Sequence, residues 1–66
     1  MDKIEISFFV PCFNEEKNVV NTLNNIVQSI KDINYEILVC DDGSTDSTKE
    51  QVVNFNNSSD ANITFI

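Results

Sequence analysis

Apolar residues in this chain fall into two kinds of run, and their alternation predicts the fold. Ile4 to Val10 (Ile-Glu-Ile-Ser-Phe-Phe-Val) is rich in β-branched and aromatic residues and stops at Pro11. It reads as a strand, and the unbroken apolar run after Ser7 predicts burial on both faces. From Val19 the apolar positions are 19, 20, 23, 26, 27 and 30, one stripe of a helix with a period of about 3.6 residues. Ahead of it, Asn14 is placed to cap the helix, and Glu15 and Glu16 suit the positive end of its dipole. Asp32-Ile33-Asn34 breaks the helix. Tyr35 to Cys40 is a second strand, apolar without alternation after Glu36, as a central parallel strand is.

Asp41 to Asp46 is a turn of residues that hydrogen-bond their own backbone. Ser47-Thr48-Lys49-Glu50 has capping-box spacing and opens a second helix through Val52, Val53 and Phe55. A polar loop from Asn56 to Asn62 leads to a third strand at Ile63 to Ile66. The fold class is therefore α/β, in the order β-α-β-α-β, with crossovers long enough for a parallel sheet and right-handed connections. Functional groups in such sheets gather at the carboxyl ends of the strands. The loops 11–16 and 41–46 both fall there.

Composition narrows the partners. The 66 residues carry four Lys against eleven Asp and Glu, a net charge of −7. Binding to nucleic acid or to an anionic membrane surface runs on Lys and Arg, so both are disfavoured. No apolar run approaches the ~18 residues of a membrane span. The start, Met1-Asp2-Lys3-Ile4-Glu5, lacks the basic and then apolar order of a signal peptide. With two Cys and no His, a zinc site or disulfide framework has little to work with. Cys12 and Cys40 read as reduced thiols in a cytoplasmic protein.

The first turn also excludes chemistry. Phosphate-binding turns of α/β proteins use glycines for close backbone approach. Pro11-Cys12-Phe13-Asn14-Glu15-Glu16 has no Gly and two acids, so it cannot cradle a phosphate. Asp41-Asp42-Gly43-Ser44 does not fit a calcium loop, because its Gly comes too early and no Glu sits at the twelfth position. An ionised Asp only accepts hydrogen bonds. Asp42 at a strand end thus suits the N–H of a base or a ribose hydroxyl. A plain helix-entry turn accounts for the same four residues equally well.

Two stretches together carry a resemblance. Ile6 to Glu16 (Ile-Ser-Phe-Phe-Val-Pro-Cys-Phe-Asn-Glu-Glu) resembles the opening strand and loop of family 2 glycosyltransferases. Tyr35 to Thr48 (Tyr-Glu-Ile-Leu-Val-Cys-Asp-Asp-Gly-Ser-Thr-Asp-Ser-Thr) resembles their second strand and its Asp-Asp-Gly-Ser turn. The two lie in the family's order, with a helix between them. The resemblance implies the start of a GT-A, Rossmann-like sheet, incomplete here. Residues 1–66 would be the N-terminal, nucleotide-binding portion of an enzyme that moves a sugar from a nucleoside-diphosphate donor to an acceptor. By position it implies that Pro11, Phe13 and Glu15 line the base and ribose pocket, and that Cys40 and Asp42 close it. Phe13 stands where the family often has Tyr, and Cys12 where it often has Thr or Ser.

The family's metal-binding Asp-x-Asp, catalytic base and acceptor site come later, so no catalytic or metal residue is expected in this stretch. Mg²⁺ or Mn²⁺ is expected for the full-length enzyme, and the isolated chain is expected to be inactive. The cytoplasm, or the cytoplasmic face of a membrane for the whole protein, is the implied location. Self-association through an exposed edge of the first strand is expected of the isolated chain. The alternative from another class is a small non-catalytic α/β module that binds a nucleoside or a protein.

Overall fold

The computed structural model describes residues 3–66. Its elements run β1 (Ile6–Cys12), α1 (Val19–Ser29), β2 (Tyr35–Asp41), α2 (Thr48–Asn57) and β3 (Ile63–Phe65). The three strands form one parallel sheet in the order β1-β2-β3, with Phe8 opposite Ile37, Val10 opposite Val39 and Ile37 opposite Ile63. The α/β sequence reading holds, element for element.

Both crossovers step the same way across the sheet. Right-handed connections therefore put both helices on one face. Ile37 and Val39 on that face have no exposed surface, and Leu23 of α1 and Val52 of α2 close over them with Val19, Cys12 and Ile63. Partly buried Phe8, Val10, Tyr35 and Phe65 flank this core.

The other face corrects one expectation. Burial of the first strand on both faces is not what the structure shows: Phe9 is 63% exposed, and Ser7 and Pro11 beside it are exposed. The same holds in part for β2, where Leu38 and Cys40 are half-buried between fully buried Ile37 and Val39. The run is apolar toward both faces, but both helices cover a single side, so the other face stays open.

The boundaries also move. The first strand was expected over Ile4 to Val10, yet it starts at Ile6 and continues through Pro11 to Cys12. Parallel strands alternate the side to which successive residues direct their backbone groups. The Ile6 N–H bonds Asn34 and the Cys12 carbonyl accepts from Asp42 N–H at 2.9 Å. Even-numbered residues therefore bond β2, and the N–H that Pro11 lacks belongs to the open edge, where proline is tolerated. Asn14 does not cap α1. The helix begins only at Val19, after a turn in which the Glu15 carbonyl accepts from Asn18 and Val19, and no acid lies in its first turn. Residues 56 and 57, expected in a loop, complete α2.

Candidate functional site

The carboxyl ends of β1 and β2 carry two loops that are tied together almost entirely by side chains. Asp41 ends β2 and turns back on its own loop: its carboxylate accepts the Ser44 N–H at 2.9 Å and the Ser44 hydroxyl. Gly43 between them has φ +79 with open space around its α-carbon, so glycine is needed for the backbone angle rather than for room. The Ser44 hydroxyl and N–H hold the Asp41 carboxyl below the usual carboxylate range.

The capping box expected at Ser47 does not form. Ser47 makes no side-chain cap bond; Asp46 supplies the oxygen instead, accepting the Thr48 N–H at 2.9 Å and the Thr48 hydroxyl. Partial desolvation raises the Asp46 pKa, but the bonds from Thr48 and from the Glu16 N–H outweigh it, and the net shift is downward. Thr48, fully buried, accepts the Glu15 N–H at 2.8 Å with the same hydroxyl oxygen. Glu16 then reaches across, its carboxylate accepting the Ser47 N–H at 3.4 Å. That acid serves the N-terminus of α2 and not that of α1.

The tied loops enclose an open cleft of about 420 Å³ lined by Pro11, Cys12, Phe13, Glu15 and Asp42. Four of the five expected site residues meet there: Pro11, Phe13, Glu15 and Asp42. Cys40 does not line it; it lies within β2 opposite Pro11. Cys12, which sequence reasoning left out, forms part of the wall. Its thiol donates to Asp41 at 3.6 Å, and burial together with that carboxylate pushes its pKa up to about 11. Phe13 is 54% exposed, an aromatic face held out of the core.

Asp41 and Asp42 are adjacent but differ in role. Asp41 is committed to its turn, whereas among the described residues no group donates to the Asp42 carboxylate. With Glu15, it leaves the cleft with two free acids and one aromatic surface. Such a wall accepts N–H and O–H groups and stacks a ring; it repels phosphate. Among the described residues no three His, Cys, Asp or Glu side chains converge as a metal site. The described residues do not fit a divalent ion.

Residues 7–66 match the family described as Glycosyl transferase family 2. The chain belongs to glycosyl transferase family 2. It is 33% identical over 58 residues to a UDP-Glc:alpha-D-GlcNAc-diphosphoundecaprenol beta-1,3-glucosyltransferase of Escherichia coli, covering 88% of this chain and 22% of the relative. It is 33% identical over 61 residues to a poly-beta-1,6-N-acetyl-D-glucosamine synthase of Staphylococcus aureus, covering 91% of this chain and 15% of the relative. A dolichol-phosphate mannosyltransferase of Pyrococcus furiosus is 35% identical over 48 residues, 73% of this chain and 14% of that protein. This family 2 segment therefore spans less than a quarter of the length of these relatives. No helix among its described residues is long and apolar enough to cross a membrane.

Proposed function

We propose that this segment is the nucleoside-recognition portion of a glycosyltransferase that transfers a sugar from a nucleoside-diphosphate donor to an acceptor. The observation that carries the reading is the cleft at the ends of β1 and β2, where Phe13, Glu15 and Asp42 converge. Phe13 offers a stacking face for the base, and Asp42 and Glu15 accept from the base edge and ribose hydroxyls. The donor's diphosphate lies away from these acids, with its Mg²⁺ or Mn²⁺ held by residues outside this segment. Turnover needs those later elements, so the 66 residues alone bind without transferring. Two free thiols, Cys12 and Cys40, fit the reducing cytoplasm or the cytoplasmic face of a membrane.

The test is calorimetric titration of nucleoside diphosphates into the full-length protein. Asp42→Asn replaces an acceptor by a partial donor and should cost ~1.5–3 kcal/mol of affinity, the scale of a hydrogen bond to a charged group. Glu15→Gln should cost less, since a ribose hydroxyl can turn to suit either side chain. Unchanged affinity in Asp42→Asn, with the fold intact, would leave Asp42 as part of a turn only.

A further inference from the structure

We propose that Asn14 is a positioning residue, whose side-chain amide sets the spacing of the two cleft loops and thereby the placement of Phe13 and Glu15. Asn14 stands between these two lining residues but does not line the cleft itself. Its backbone is left-handed, at φ 51. From that position it bonds the opposite loop twice: its N–H donates to the Ser44 hydroxyl at 2.8 Å, and its Oδ1 accepts the Thr45 N–H at 2.8 Å. The Glu15 and Glu16 N–H groups, bonded to Thr48 and Asp46, hold only the far end of the loop. Next to Phe13, Asn14 is the brace. Asparagine supplies both requirements, because it tolerates the left-handed region and carries an acceptor on a short stem.

The inference takes its ligand from the nucleotide reading, but the brace itself can be read without one. In the full-length protein, amide hydrogen exchange over residues 13–16 and 43–46 is measured without ligand, and affinity for UDP and GDP by calorimetry. Asn14→Gly relaxes the backbone and deletes the acceptor. It should speed loop exchange about fivefold to tenfold and weaken the bound nucleotide about threefold to tenfold, the range of one net hydrogen bond. Asn14→Asp keeps the acceptor and should restore slow exchange. Exchange in Asn14→Gly equal to wild type would overturn the brace, leaving only a left-handed residue. Faster exchange with unchanged affinity would overturn the positioning role. Failure of the unsubstituted protein to bind either nucleotide would sink the nucleotide reading, while the exchange series still decides the brace.

Discussion

Neighbouring residues of one chemical type acquire different work here through direction alone. Asp41 points into its own turn, where Ser44 donates to it twice, whereas Asp42, one residue on, lines the cleft. Cys12 shows the same dependence on surroundings. Only 7% exposed and beside the Asp41 carboxylate, it has a pKa of about 11 against an ordinary 9.0. At pH 8 that leaves about a hundredfold less thiolate than an unperturbed thiol would have, and the thiolate is the nucleophile. Peptide mapping after brief iodoacetamide treatment of the folded protein should find Cys12 unmodified, with full labelling in urea. Rapid native labelling of Cys12 would contradict this burial.

At the scale of elements, the sheet order decides what is exposed. With β2 central, β1 is an edge among the described residues, and its uncovered face displays Phe9. An apolar edge with unpaired N–H and C=O groups is a template for pairing with another chain. Pro11 blunts only its carboxyl end. A chain of these 66 residues should therefore self-associate, and Phe9→Lys should shift it toward monomer by placing a charge on that face. Light scattering with sedimentation over a concentration series reads this directly; equal association by both chains would move the contact elsewhere. The helices explain why the face is bare. Leu23 and Val52 meet over Ile37 and Val39 on one side, and two crossovers of one hand leave nothing for the other.

The whole molecule exposes 4636 Å², against about 4,200 Å² for a compact monomer of its mass. The excess agrees with an uncovered sheet face, and a core of seven buried apolar residues among those described gives a small margin of stability. Part of that margin depends on pH. Asp41 and Asp46 both have carboxyls held below their ordinary range by hydrogen bonds. A lowered folded pKa contributes stability that is present above the unfolded value, near ~4, and lost as pH falls through the folded one. The full-length protein should therefore keep the contribution of these groups undiminished between pH 6 and 8, and its urea midpoint should fall below about pH 4. Asp46→Asn should flatten that acid limb; parallel curves for the two proteins down to pH 3 would remove Asp46 from the account.

The order of elements and the two loops that matter were legible in the chain, because a helical stripe at Val19, Leu23 and Ile26 and a β-rich run at Tyr35 to Cys40 are local signals. Pro11, Phe13, Glu15 and Asp42 were singled out through the resemblance of their two loops to family 2 glycosyltransferases, and they line one cleft because strand ends in such sheets converge. The rest needed the third dimension. The strand's passage through Pro11 depends on which side of β1 stays open. Asn14, Asp46 and Thr48 tie the two loops together through partners about thirty residues away, and no local pattern in capping residues encodes such a distant bond. Cys12 entered the cleft wall and Cys40 did not because register sets which residues meet at the sheet's end. Periodicity determined the elements; only packing decided which faces were covered and which carboxylates were left free.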